Sequence, residues 1–299
     1  MGFKSALFIL FAVFSVSASA ESAFKKTISI NALQSVNASG PLRLVVQQAP
    51  QAKLEFFANQ AALERLEISQ EGEALYIVLR EQDGADHLLK ADIYLSVPNL
   101  STIRAEDLDL LELNEFKLDA DLELEIAMGT RALLSAIHGG NLSIRASQSS
   151  EVETRNVEFS GIAITGLNSS KVTLEDAYAN ALTLNLSNSA AFTAGAINLV
   201  KLNVRARNSA TAVFKEPGHA HDAFFKASNG SDIDARKILL QSAEIDVSNG
   251  AELTLSAAER VTGKASNGSD VGIYGDANIE VKKSAGASIN KKSREANYE

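Results

Sequence analysis

The chain of 299 residues contains no cysteine and no tryptophan, and only 6% of it is aromatic. Without cysteine there can be no disulfide staple, no thiolate metal site and no lipid attached to an N-terminal cysteine, so stability must come from burial and backbone pairing. Hydrophobic residues make up 45% of the chain, and with so few aromatics the core has to be built from small and branched aliphatic side chains. A narrow core suits that list. An excess of positive charge is also missing: 28 Lys and Arg face 37 Asp and Glu, for a net charge of −9. That balance disfavours nucleic acid and anionic membrane surfaces as partners.

Long apolar runs are scarce as well. The stretch from Ala6 to Val16 follows the basic Lys4 and is about ten residues long, whereas a membrane-spanning helix needs roughly twenty. It closes in Ala18-Ser19-Ala20, the small-x-small form accepted by signal peptidase. Residues 1–20 therefore read as a cleaved signal peptide with maturation at Glu21, and no transmembrane anchor is expected. A cysteine-free exported chain of this size fits a bacterial periplasm, cell surface or secreted fraction. The triplets at Asn37, Asn141, Asn168, Asn229 and Asn267 match a glycan acceptor pattern, but most of them belong to a repeat.

That repeat is the strongest signal present. Ala227-Ser-Asn-Gly-Ser-Asp-Ile233 recurs as Val247-Ser-Asn-Gly-Ala-Glu-Leu253 and as Ala265-Ser-Asn-Gly-Ser-Asp-Val271, then fades into Lys283-Ser-Ala-Gly-Ala-Ser-Ile289. Read backward, the anchor position is filled by Asn208, Asn188, Asn168, Gln148 and Gly129, at steps of 18 to 21 residues. Hydrophobicity keeps phase with the anchor. Four residues before it stand Ile144, Ile164, Leu184, Val204, Phe225, Ile245 and Val281, with Gly263 as an exception; four after it stand Leu133, Val152, Val172, Phe192, Ala212, Ile233, Leu253 and Val271. Alternation on both sides of a tight turn is strand periodicity. A fixed period of this length indicates a solenoid, because one such unit cannot bury its apolar stripe and a stack of them can.

The expected fold is all-β: a right-handed single-stranded parallel β-helix of about 9–10 rungs over residues 101–290. Nine layers at about 4.8 Å make a rod of roughly 40 Å. Residues 21–100 carry strand signals without the anchor and read as a strand-rich cap, with a short helix at Gln60 to Leu66. Residues 291–299 read as a polar tail. The column Asn168, Asn188, Asn208, Asn229, Asn249 and Asn267 is assigned to turn structure, since asparagine tolerates the left-handed corner and stacked amides can hydrogen-bond along the rod. Replacing Asn249 by leucine is expected to cost ~1–3 kcal/mol if a buried partner is left unpaired.

The opening Ala38-Ser-Gly-Pro-Leu-Arg-Leu-Val-Val46, the step Val97-Pro98-Asn99-Leu100 and units such as Ile245-Asp-Val-Ser-Asn-Gly-Ala-Glu-Leu253 resemble a bacterial family called putative auto-transporter adhesin, head GIN domain. The resemblance spans residues 30 to 290 and implies a single-stranded β-helix with an adhesin role. It brings no catalytic residue set. The chain departs from the family in placing asparagine where many members have glycine or alanine.

Function on a solenoid is displayed by its outward columns. Three residues after the anchors run Arg131, Glu151, Lys171, Ala191, Thr211, Asp232, Glu252 and Asp270. The last three, Asp232, Glu252 and Asp270, are weak candidates to bridge calcium, a hard cation that prefers oxygen ligands; otherwise they are a solvated edge, and no cofactor is expected. His219-Ala-His221-Asp222 reads as an exposed loop lacking the further ligands of a zinc site. Polysaccharide cleavage is the enzymatic alternative, but rungs of such even length are poor walls for a groove, and Phe224-Phe225 is the one aromatic-rich insertion. The expectation is a non-catalytic exported adhesin or envelope scaffold whose partner is a surface glycan, an envelope protein or a second copy.

Overall fold

A computed structural model describes residues 24–80 and 89–292; the signal segment and residues 293–299 lie outside them. The chain begins with β1 (Phe24–Ser29), β2 (Ser35–Ser39), β3 (Arg43–Gln48), β4 (Lys53–Ala58), α1 (Gln60–Leu63), β5 (Leu66–Glu71), β6 (Ala74–Leu79) and β7 (Ala91–Val97). It continues through β8 (Thr102–Glu106), β9 (Leu110–Lys117), β10 (Leu122–Ala127), β11 (Arg131–Ala146), β12 (Glu151–Leu167), β13 (Lys171–Tyr178), β14 (Ala181–Ser187) and β15 (Ala191–Ala194). The last elements are β16 (Ile197–Arg207), β17 (Thr211–Phe214), β18 (Gly218–Ser228), β19 (Asp232–Ser248), β20 (Glu252–Ala265), β21 (Asp270–Tyr274), β22 (Asn278–Lys283) and β23 (Ser288–Lys292). Lys291 and Lys292, read from sequence as tail, therefore belong to the last strand.

From Thr102 onward the chain coils into a solenoid of about ten turns with parallel stacked strands. Each rung has three faces. The face before the Asn corner stacks as Leu142↔Ile162↔Leu182↔Leu202, and the face after it as Val152↔Val172↔Phe192↔Ala212. A short third face follows a second corner, stacking Ile137↔Val157↔Ala177↔Ile197. Glu115, Ala136, Asn156 and Asp176 take positive φ at that second corner.

Burial follows the alternation read from sequence: the inward members of every column from Leu122 to Ile273 are nearly solvent-free. Large and small side chains trade columns between layers. Phe192 lies over Ala212 while Ala194 lies over Phe214, which brings the two rings to a centroid separation of 5.8 Å. This interdigitation fills a narrow core, and each buried aliphatic or phenyl group contributes about 1.5–3 kcal/mol.

Unequal steps between corners are absorbed away from the two main faces. The 21-residue step places its extra residue between Phe214 and Gly218, whereas the 18-residue step from Asn249 to Asn267 shortens the third face through register shifts after Ala235 and Leu240. The main ladders never lose register, so the core columns stay continuous.

The first corner needs correction. The pair of positive-φ residues there is Met128 and Gly129, equivalent to Gln148 and Ser149 or Asn168 and Ser169. The anchor is therefore Met128, and the inward residue paired with Val152 is Ala132, while Leu133 turns outward opposite Glu153. Glycine at the second corner position mimicked the anchor in the sequence.

The N-terminal segment uses the same ladders in a different chain order. β2 is sandwiched between β6 and β8, and β3 between β7 and β9, all in parallel register. The layer formed by β6 and β7 thus lies below the layer formed by β2 and β3, although it comes later in the chain. Val97-Pro98-Asn99-Leu100 climbs past one complete layer to reach β8, and Ser101 and Thr102 donate their backbone N–H groups to the Gln34 carbonyl on the way. Three antiparallel strands then close the end: β5 covers the edge of β6, β4 covers β7, and β1 covers β4. Such reversal ends the template that a parallel stack would otherwise offer. The helix expected at Gln60 to Leu66 is confined to Gln60–Leu63, capped by Asn59, whose side chain accepts the Ala62 N–H at 2.9 Å.

Candidate interaction surface

The Asn corner is the first surface feature. Every anchor from Asn168 to Asn267 sits at φ between 52° and 55°, followed by a serine or glycine at 60° to 68°. Two consecutive left-handed residues turn the chain sharply, and asparagine and glycine enter that region with little strain. The side chains of Asn168, Asn188, Asn208, Asn229, Asn249 and Asn267 form one ladder, in which each Nδ2 from Asn188 onward donates to the Oδ1 of the asparagine in the layer below at 2.9 to 3.0 Å. The ladder is solvent-exposed.

Behind it lies a column the sequence reading missed. Thr130, Ser150, Ser170, Ser231 and Ser269 stand two residues after their anchors and are fully buried. The Ser231 hydroxyl accepts the Ser228 N–H and donates to the Ala206 carbonyl, both at 3.0 Å, and Ser150 and Ser269 do the same in their own layers. The Ser147 and Ser266 N–H groups also reach the ladder carbonyls of Ile126 and Val247 at 2.9 Å, so the buried hydroxyl shares a donor and an acceptor with the ladder and ties the corner to the layer below. The signal of this column was the second serine of Ser-Asn-Gly-Ser.

On the face after the corner, Asp232, Glu252 and Asp270 are ladder neighbours. Their oxygens are turned to different partners: the Asp270 carboxylate accepts from Ser288 and Asn290, and the adjacent Asp234 from Arg236 and Thr254. Burial, then Glu252 and Asp234, push the Asp232 carboxyl above its usual range. No group of three or more acidic or histidine side chains able to hold a metal ion occurs among the described residues.

His219, His221 and Asp222 lie in β18 and not in a loop, so the sequence expectation is corrected: the extra residue of this rung is taken up before Gly218, leaving the histidines on a strand. His221 Nδ1 is 3.0 Å from Asp222, whose carboxyl is held below its usual range by the Ser242 hydroxyl and then by His221.

The third face carries an open trough of about 800 Å³. Its outward column runs Lys117, His138, Glu158, Tyr178, Asn198 and His219, with His138 Nδ1 3.2 Å from Glu158. Tyr178 is 58% exposed there. The face before the corner is grooved near Arg205 and Arg207, and Phe224 stands outward there beneath the Arg205 guanidinium at 5.2 Å, while Phe225 enters the core.

A long unbranched stack with flat lateral faces and antiparallel strands closing one end defines a β-solenoid whose outward side chains stand in register; no helix among the described residues is long and apolar enough to cross a membrane. The chain belongs to the family described as putative auto-transporter adhesin, head GIN domain, whose model matches residues 32–175 and 137–277. Among solved structures it is similar to a putative adhesin from Parabacteroides merdae, at 12% identity and a TM-score of 0.53 over 91% of this chain and 96% of that one. A putative adhesin from Parabacteroides distasonis matches at 14% identity and a TM-score of 0.50 over 90% and 97%. These likenesses are of fold. No curated protein matches.

Proposed function

We propose that the protein is a non-catalytic, exported interaction module that presents a lateral face of its solenoid to a surface glycan or an envelope protein. The observation that supports this is the unbroken register of the two main ladders, which spaces outward side chains about 4.8 Å apart in flat arrays. Repeating polymers match such arrays, and family membership agrees with the reading. Export is tested by fractionating cells that express the full chain: recovery of a form beginning at Glu21 outside the cytoplasm is expected, and an uncleaved cytoplasmic protein contradicts it. The interaction is tested on a glycan array alongside a pull-down from envelope extracts. Saturable capture is expected in at least one, and absence from both sinks the reading.

A second reading, polysaccharide cleavage, draws on the pairing of His138 and Glu158 beside Tyr178 in the third-face trough. Release of new reducing ends that disappears in His138→Ala would favour it over display. At the far end of the rod, β22 and β23 are each paired on one side among the described residues. A second copy fits that open edge, and concentration-dependent dimerisation in sedimentation would support it.

A further inference from the structure

Strand β16 reads Lys201-Leu-Asn-Val-Arg-Ala-Arg207, and its alternation turns Lys201, Asn203, Arg205 and Arg207 outward while Leu202, Val204 and Ala206 enter the core. Three cations thus share one rung of a chain whose net charge is −9. Several other charges on this face are paired between layers, as in Arg104 with Glu125 at 3.2 Å and Lys226 with Asp246 at 3.2 Å. Arg205 and Arg207 differ. Their neighbours in the layer below are Asn185 and Ser187, those above are Lys226 and Ser228, and neither arginine meets an acid among the described residues. Arg205 lies 5.2 Å from the centroid of the Phe224 ring, which fixes its guanidinium at the edge of the groove.

Two cavities adjoin this strand. One, of about 360 Å³, is lined by Thr165, Asn185, Ser187, Arg205, Arg207 and Lys226. The other, of about 450 Å³, lies beside Lys201, Asn203 and Phe224, with Asp222, Glu244 and Arg260 on its far side. The Ser187 hydroxyl and the Asn203 Oδ1 are the buried side-chain polar atoms that lack a hydrogen-bond partner among the described residues. One lines each cavity. Orphaned polar groups are costly unless something supplies their partner. Ser187 shares its cavity with both arginines, and Asn203 stands two residues from Arg205 on the same outward face of β16, which points to a ligand on this face.

We infer that Arg205, Arg207, Asn203 and Ser187 form a binding groove for an acidic polysaccharide, its carboxylates or sulfates on the two guanidinium groups and its hydroxyls on Asn203 and Ser187. The inference rests on the display function proposed above and names the face and the ligand class. Arginine presents a planar fork that takes a carboxylate or sulfate in two hydrogen bonds. An isolated anion satisfies the arginines but offers no donor to the Asn203 oxygen, whereas a sugar hydroxyl does. The rungs below, with Ala163, Thr165, Thr183 and Asn185 outward, form an uncharged floor of small side chains on which a polymer can lie.

The test uses the mature chain with polygalacturonate as probe, neutral dextran and phosphatidylglycerol vesicles as comparisons, followed by affinity electrophoresis and calorimetry at low salt. The wild type is expected to bind polygalacturonate and ignore dextran. Arg205→Gln with Arg207→Gln is expected to weaken binding at least ~10-fold. Lys171→Gln, on the face after the corner, is expected to leave it unchanged. Because both arginines are exposed the double variant should fold, and circular dichroism checks this; Asn185→Glu supplies a second variant that should weaken binding through repulsion. No binding by the wild type, equal binding by the double variant, or binding to the vesicles without the polysaccharide overturns the inference. Capture of neutral glycans or an envelope protein that survives the arginine substitutions would overturn this groove while leaving the display function standing.

Discussion

Gly263 lies directly over Ile245 in the ladder, so close that a β-carbon on it would fall 1.9 Å from the Ile245 carbonyl oxygen and 2.8 Å from its nitrogen. Its φ is +125°, a conformation closed to ordinary side chains. In the sequence Gly263 was the one break in an aliphatic column; the structure shows the column forbidding a side chain there. Gly263→Ala is expected to destabilise the protein by at least ~2–3 kcal/mol, since both backbone strain and a backbone clash must be relieved. Urea unfolding measures it, and an unchanged midpoint would mean that the layers can part at no cost.

Asn249 bridges Asn229 and Asn267 through hydrogen bonds of 2.9 Å at φ 55°. Because the ladder is exposed, water can replace lost amide partners, and the larger penalty of a substitution comes from the left-handed backbone. Asn249→Leu is expected to cost ~1–3 kcal/mol and Asn249→Gly less than ~1 kcal/mol. Thermal melts of the pair separate the two contributions: equal losses would place the stabilisation in the ladder instead of in the turn.

The period, the inward columns and the Asn corner were legible in the sequence because each repeats at a fixed offset. Features that occur once were not. The layer from Ser35 to Gln48 pairs with strands 39, 49 and 67 residues further along, so nothing local marks Val36 as the neighbour of Ile103. The third face leaves only a faint trace in the sequence because its inward signal is brief, a residue or two such as Val157 or Ala177 between two corners. The cations of β16 occupy a single rung, and column-by-column reading dilutes a feature that runs along one strand.

Asp232 and Asp234 shift in opposite directions. Burial followed by Glu252 and Asp234 raises the Asp232 carboxyl; burial also acts on Asp234, but the hydrogen bonds from Arg236 outweigh it and hold that carboxyl low. A raised carboxyl disfavours folding above its folded value and ceases to matter below the ordinary value of 3.8. Asp232→Asn is therefore expected to stabilise by about 0.5 kcal/mol at pH 7, a gain that vanishes below that value and shrinks in high salt. Asp234→Asn is expected to destabilise at pH 7, an effect lost as pH falls through its depressed folded value. Melts across pH 3 to 8 check both signs. Millimolar calcium is expected to leave the wild-type midpoint in place, and a calcium-dependent rise lost in Asp232→Asn would instead restore the acidic column as a metal site.

Met128 occupies the corner position that asparagine fills in six later layers, at φ 55° and 49% exposed. A long unbranched side chain gains nothing from burial there and carries the strain of a left-handed backbone, which asparagine relieves by bonding locally. Met128→Asn is expected to stabilise by ~0.5–1 kcal/mol. The neighbouring Gly129, at φ 75°, holds the position taken by serine at Ser149, Ser169 and Ser189, so Gly129→Asn is expected to be neutral or slightly destabilising. The two variants separate the registers available at this corner. If Gly129 were the anchor, as the repeat alone suggests, the gain would come from Gly129→Asn, and Leu133 instead of Ala132 would lie inward. Chemical denaturation of both variants, with Leu133→Asn as an outward control expected to change stability by less than ~0.5 kcal/mol, decides which register the first full layer adopts.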